Sequence, residues 1–110
     1  MRAAQPKNLE LYVTPEGRTP FTEWLAALKD IKARAKIRVR LDRLRLGNLG
    51  DCQPVGAGVS ELRVDFGPGY RVYFGQEGNK KVVLLWGGDK RTQAADIKRA
   101  QTYWAEYKKR

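Results

Sequence analysis

The residues best placed to do chemistry lie between Glu61 and Gln93, in the runs ELRVDFGPGYRVYF and EGNKKVVLLWGGDKRTQ. Arg63 and Arg71 flank a Gly-Pro-Gly turn, and Lys90 and Arg91 follow a Gly-Gly pair just before Thr92 opens a helix. Guanidinium and ammonium donors gathered at a helix N-terminus suit a phosphate group. Glu61 and Asp65 are the carboxylates of the same segment and the candidates for a general base. Histidine is absent, so acid–base work near neutral pH falls to a shifted carboxylate, a lysine, a tyrosine or the thiol of Cys52. One cysteine without histidine makes a zinc site unexpected. The run GGDKRT lacks the G-x-x-x-x-G-K-[ST] spacing of a nucleotide-binding loop. Asp65-Phe66-Gly67 matches a kinase triplet in a chain with none of the other kinase motifs. No cofactor and no metal are expected.

Composition sets the partners. The chain has 110 residues with 22 Lys+Arg against 12 Asp+Glu, a net charge of +10. Such a balance attracts polyanions. The hydrophobic fraction of 42% with three Trp, five Tyr and three Phe supplies core material, so one folded domain over residues 1–110 is expected rather than a basic tail. A single cysteine excludes an internal disulfide and fits a reducing, cytoplasmic setting. The start MRAAQPKNLELYV has no long apolar stretch of a secretory signal. The longest apolar run, Val82 to Trp86, is too short to span a membrane.

The positioning elements follow from periodicity. Residues 1–7 form a loose lead-in, and 9–13 a first strand. Thr19-Pro20 starts a helix over PFTEWLAALKD, with Thr as cap and Pro in the first turn. Residues 31–46 alternate apolar and basic as a strand would, yet their length and their Ala, Leu, Lys and Arg content predict a helix with the stripe Ala33, Ile37, Leu41 and Leu44. Gly47 ends it. The stretch 29–45 carries eight basic and two acidic residues; Lys36, Arg40 and Arg43 are its candidates for contact with a nucleic-acid backbone, and a solvated face is the alternative. Residues 48–58 read as loop. Strands are expected over 59–66, 70–76 and 80–86, joined by Gly67-Pro68-Gly69 and by the two-residue turn Gly78-Asn79. A final helix carries Ile97, Ala100, Trp104 and Tyr107. The fold class is α+β: a small, mainly antiparallel sheet with packed helices, in the order β-α-α-β-β-β-α.

A three-residue GPG turn would pair Asp65 with Arg71 and Arg63 with Tyr73. The period of two then sorts the faces. Leu62, Val64, Val72 and Phe74 point to the core; Glu61, Arg63, Asp65, Arg71 and Tyr73 share the other face, joined by Trp86 if the second turn holds two residues. On local grounds alone this is either a phosphate-handling patch or a solvated sheet face with a cross-strand Asp65–Arg71 pair.

The strings ELRVDFGPGYRVYF and LLWGGDKRTQAADIKRAQTYWAEY resemble the RelE/ParE superfamily of toxins from bacterial toxin–antitoxin modules, most closely its HigB-like addiction-module killer branch. The resemblance covers most of the chain. It implies a type II toxin that cleaves mRNA on the ribosome by attack of a ribose 2′-OH on the adjacent phosphate. It implies a cognate antitoxin, mRNA and the ribosome as partners, and a toxin–antitoxin hetero-oligomer. By the same resemblance Arg71 stabilises the phosphate, Arg63 orients it, and Lys90 and Arg91 occupy the loop of catalytic basic residues. Splayed RNA bases would stack on Tyr73 or Trp86. The chain departs from RelE at the tyrosine early in the last helix, where Ile97 stands, and from histidine-bearing members altogether. The acid–base pair is therefore unassigned. A ParE-like gyrase poison of the same fold, and a non-catalytic basic protein that binds nucleic acid or an antitoxin, are the alternatives.

Overall fold

The computed structural model describes residues 5–110; the part of the expected lead-in at residues 1–4 lies outside them. The elements are β1 (Asn8–Leu11), α1 (Pro20–Ala27), α2 (Ile31–Arg45), β2 (Cys52–Pro54), β3 (Val59–Val64), β4 (Tyr70–Glu77), β5 (Lys81–Asp89), a 3-10 turn (Lys90–Thr92) and α3 (Gln93–Lys108). The five strands form one sheet in the order β1-β5-β4-β3-β2. β1 runs parallel to β5, and all other neighbours are antiparallel. The α+β class is as expected. Among the described residues no helix is long and apolar enough to cross a membrane.

The ambiguous basic segment is a helix because local chemistry closes both of its ends. The Asp30 side chain accepts from the amides of Lys32 and Ala33 at 2.9 and 3.2 Å, satisfying two of the orphan donors of the first turn. At the other end Gly47, with φ +93°, lets its amide reach Leu44 O at 2.9 Å while the Asn48 amide reaches Arg43 O at 2.8 Å. This is a Schellman closure, which needs the left-handed residue. The stripe Ala33, Ile37, Leu41 and Leu44 is buried as expected.

The sheet is covered on both faces. On one face α1 and α2 pack against Leu62, Val64, Val72, Phe74, Val82 and Leu84. On the other, Ala100 and Trp104 of α3 pack against Tyr12, Val59, Tyr73, Val83 and Leu85. The second face is thus a second core rather than a solvated surface, and Tyr73, expected on an open patch, is fully buried. Each face also holds a tryptophan laid flat over a strand glycine. Trp24 of α1 covers Gly87, and Trp104 of α3 covers Gly75, so close that a Cβ at either glycine would fall 2.2 or 2.5 Å from the ring.

Both hairpins depart from the expected register. The first loop holds five residues, 65–69, so Val64 pairs Tyr70 and Arg63 pairs Arg71. The shift of two keeps each side chain on its expected face but removes the Asp65–Arg71 pair, because Asp65 lies in the loop. Backbone bonds Phe66 N to Val64 O and Gly69 N to Phe66 O, 2.9 and 3.1 Å, lengthen the turn beyond GPG. The second turn holds three residues, with Glu77 opposite Lys81. That slip alone would turn Trp86 onto the α1/α2 face. A bulge restores it: Phe74 pairs Leu84 but Tyr73 pairs Trp86, so Leu85 is an extra residue, and an extra residue reverses the facing of everything after it. Two further corrections concern loops. Cys52–Pro54 is an edge strand paired with β3, its proline tolerated at the edge. Gly87-Gly88 belongs to β5 rather than to a loop.

Candidate functional site

Arg63 and Arg71 are direct cross-strand partners on the α3 face of the sheet. Two like charges in that relation repel. What holds them is Glu61, two residues before Arg63 on β3 and fully buried. Arg63 Nε donates to Glu61 Oε1 at 3.1 Å, and Arg71 Nε lies 3.7 Å from Oε2. The same Oε2 accepts from the Tyr73 hydroxyl at 3.2 Å and from Gln93 Nε2 at 2.8 Å. Arg71 is 9% exposed and is pinned by Nη1 donating to Gly69 O at 2.5 Å. Glu61 is therefore the anchor of two guanidinium groups, with both oxygens engaged, and not a free base.

The arginines open into a cleft of about 350 Å³ lined by Asp51, Arg63, Asp65, the Gly67-Pro68-Gly69 turn, Tyr70, Arg71 and Lys90. Its charge comes from β3, β4 and the turn after β5, which meet where α3 begins and no longer covers the sheet. Of the expected catalytic residues, Arg63, Arg71, Lys90 and Asp65 share this cleft, with Glu61 beneath it. Arg91 does not: its side chain is 81% exposed and turns back to Asp89 at 3.0 Å. Asp89 caps the 3-10 turn, accepting from Arg91 N at 2.8 Å, and Thr92 holds the N-cap position of α3, as expected, without a side-chain cap bond.

A second cleft, lined by Lys36, Val39, Arg40, Arg43, Gly50, Asp51, Arg63, Val64 and Asp65, adjoins the first through shared residues. Lys36, Arg40 and Arg43 are thus brought beside the arginine pair. Arg40 is partly spent on structure, donating to Leu49 O at 3.2 Å and, more weakly, to Arg63 O and Asp51 O, both at 3.4 Å.

The two expected stacking aromatics are not at the site's opening. Tyr73 has no exposed face. Trp86 packs on the other side of α3's first turns, where Nε1 donates to Asp96 Oδ1 at 2.9 Å and Arg99 lies 4.8 Å from the ring centroid. Sequence reasoning missed Asp96, which also accepts from Thr92 Oγ1 at 2.5 Å. The signal was Gly88, where a Cβ would fall 1.8 Å from Asp96 Oδ2: a strand glycine marks a close approach. It also missed Gln93, whose only sign was its place in the first turn of α3.

Tyrosine ionisation reports on this burial. Burial, then the neighbouring Glu61 carboxylate, pushes the Tyr73 hydroxyl far above its ordinary 10.0. Burial and the contact with Glu106 push Tyr12 up to about 12. Folding favours the neutral phenol in both, so their stabilisation is fully present below the unfolded value near pH 10 and is lost as pH rises through the folded values. An alkaline titration followed at 295 nm should therefore show Tyr12 and Tyr73 ionising late and together with unfolding. Five tyrosines ionising in one wave in still-folded protein would contradict it.

The model of the family described as phage-derived protein Gp49-like (DUF891) matches residues 23–108. The chain belongs to the Gp49-like family. The matched span runs from α1 to the last residue of α3 and contains every residue of both clefts; β1 lies before it. An uncharacterised protein of Haemophilus influenzae (strain ATCC 51907 / DSM 11121 / KW20 / Rd) is 51% identical over 81 residues, 74% of this chain and 82% of the relative. Within the Gp49-like fold, then, the arginine pair and its buried carboxylate sit in the region matched by the family model.

Proposed function

We propose that this protein is the toxin of a type II toxin–antitoxin module, a RelE/HigB-like domain over residues 1–110 that cleaves mRNA on the ribosome. The Gp49-like family is associated with toxin–antitoxin systems, which supports the coarser part of this reading. The observation that carries the finer part is the Arg63–Arg71 pair, fixed from below by one buried carboxylate and open above to a cleft shared with Lys90 and Asp65.

The chemistry is transesterification. The ribose 2′-OH attacks the adjacent phosphorus, its proton passes to a base, and the bond to the 5′-oxygen breaks as that oxygen takes a proton from an acid. The products are a 2′,3′-cyclic phosphate and a free 5′-OH. Arg71, nearly buried and doubly tethered, offers its remaining donors to the equatorial oxygens, where negative charge grows. Arg63 contributes a second guanidinium from the facing strand. Asp65, exposed on the rim, takes the base role that Glu61 is too enclosed to fill, and Lys90, which lines the same cleft, supplies the proton. The ribosome holds the 2′-OH in line, which supplies much of the rate by positioning. A cognate antitoxin is the protein partner, forming a hetero-oligomer that holds the toxin inactive in the cytoplasm.

Primer extension on an mRNA under translation with purified protein tests this. Cuts that need the ribosome, and that fall by about 10²–10³-fold in Arg71→Ala, are expected. Intact mRNA with trapped gyrase–DNA complexes would overturn the reading in favour of a ParE-like poison. Intact mRNA with untouched gyrase would leave a basic binding protein.

A further inference from the structure

With Tyr73 buried and Trp86 turned away, the cationic tract needs another aromatic if it is to hold a base, and one is present. Phe66 sits in the five-residue loop between β3 and β4, half-buried, with Asp65 and Gly67 on either side lining the arginine cleft. Its ring rests partly on the α1/α2 core and lines a third cleft of about 270 Å³ with Lys32, Ala35, Lys36 and Val39 of α2. This cleft shares Lys36 and Val39 with the second, and the second shares Arg63 and Asp65 with the first. A single tract therefore runs from Arg71 along α2 to Phe66.

The tract changes character along its length. It is cationic at Arg71, Arg63 and Lys90, basic along Lys36, Arg40 and Arg43, and apolar at Phe66 and Val39, the latter 47% exposed. Lys36 and Arg43 lie seven residues apart on one helix, about 10 Å along the axis, room for more than one phosphate. Lys36 Nζ lies over the Phe66 ring, 5.9 Å from its centroid, so a cation covers the face that a base would take, and its flexible stem lets it move aside to that nucleotide's phosphate. Charge along the groove with an aromatic platform at its end is how single-stranded nucleic acid is held without base pairing. Tyr70, the other aromatic of the arginine cleft, is only 8% exposed and meets Trp24 edge-on.

We propose that Phe66 stacks an unpaired base of single-stranded RNA whose scissile phosphate lies at Arg71, with Lys36 on the phosphate between them. The choice of RNA rests on the reading of the previous subsection; the contact itself does not require cleavage.

The test is fluorescence anisotropy with a labelled 2′-O-methyl hexanucleotide, which cannot be cut, in low salt and without ribosomes. Phe66→Ala should weaken binding about ten-fold, Phe66→Leu nearly as much, and Phe66→Trp should preserve it. An abasic nucleotide at the stacked position should weaken wild-type binding by a similar factor and Phe66→Ala no further. Lys36→Ala should flatten the salt dependence, and Phe66→Ala should not. Melting temperatures near wild type for Phe66→Leu and Phe66→Trp exclude a folding cause. Equal RNA affinity for wild type and Phe66→Ala, or losses that simply add in the abasic cycle, overturns the proposal. A protein that binds RNA through Phe66 but cuts no mRNA would overturn the nuclease reading and leave this one standing.

Discussion

Replacing Glu61 with alanine should destabilise the protein by about 3–5 kcal/mol, the usual result of removing one partner from a buried ionic cluster. One carboxylate answers four donors or cations: Arg63, Arg71, Tyr73 and Gln93. Alanine leaves Arg71 nearly buried beside Arg63 with no counter-charge, and leaves the Tyr73 hydroxyl without its acceptor. Glu61→Gln keeps shape and one acceptor oxygen but not the charge, so it should lose less stability than alanine while still loosening the guanidinium pair. Urea unfolding gives the ranking. A loss below about 1 kcal/mol for alanine, the range of an exposed pair, would mean that the cluster does not hold the sheet end together. On the proposed nuclease reading, Glu61→Gln should lower kcat more than it raises KM in the mRNA-cutting assay, since it disturbs the aim of the guanidinium groups that would engage the transition state. A general base at this position would instead remove the acidic limb of the pH–rate profile, where the rate rises as the base loses its proton.

The second large effect is expected at the tryptophan-covered glycines. A Cβ at Gly87 would stand 2.2 Å from the Trp24 ring and one at Gly75 2.5 Å from Trp104, against the 3.5–4.0 Å at which carbon atoms rest. Neither glycine has a positive φ, so the constraint is space rather than backbone conformation. Insertion of a methyl into a packed core commonly costs about 1–3 kcal/mol and sometimes more; these two sites belong at the upper end, because the obstacle is a flat ring pinned between helix and sheet. Gly87→Ala should be partly rescued by Trp24→Leu, which vacates the space. The two changes should then cost less together than the sum of each alone, a coupling expected for residues in contact. Simple additivity, read from thermal or urea unfolding, would count against the packing described.

How far the residues disclosed this arrangement depended on what kind of signal each left. The helix stripes were legible because burial repeats at 3.6: Ala33, Ile37, Leu41 and Leu44 all proved buried. The facing of Arg63 and Arg71 was legible because parity survives a register error of two. Turn lengths were not. GPG reads as a three-residue turn, and only the backbone bonds around Phe66 make it five. The bulge at Leu85 left no mark, since Leu85 and Trp86 are both apolar and either suits either face. Tyr73 and Trp86 were expected to meet RNA because nothing local says that α3 lies over that face; the full burial of Tyr73 and the partial burial of Trp86 are tertiary facts. Glu61 was singled out for a real reason, a carboxylate among arginines, but spacing cannot tell a base from a counter-ion. Its 0% exposure decides that. Lys90 and Arg91 are adjacent and alike in sequence, yet Asp89 ties back one and leaves the other in the cleft.

The parallel edge strand has a consequence for the order in which the protein comes into being. β1 pairs residues 8–11 with residues 81–84, so it must wait for β5, the last of the five described strands. A pairing of such sequence separation closes a long loop and slows folding. Lys90 and Gln93, which complete the cleft and its anchor, are synthesised later still. A nascent chain therefore carries Arg63 and Arg71 before the residues that complete their cleft and anchor exist, and the cleft cannot be finished until residue 93 has been made.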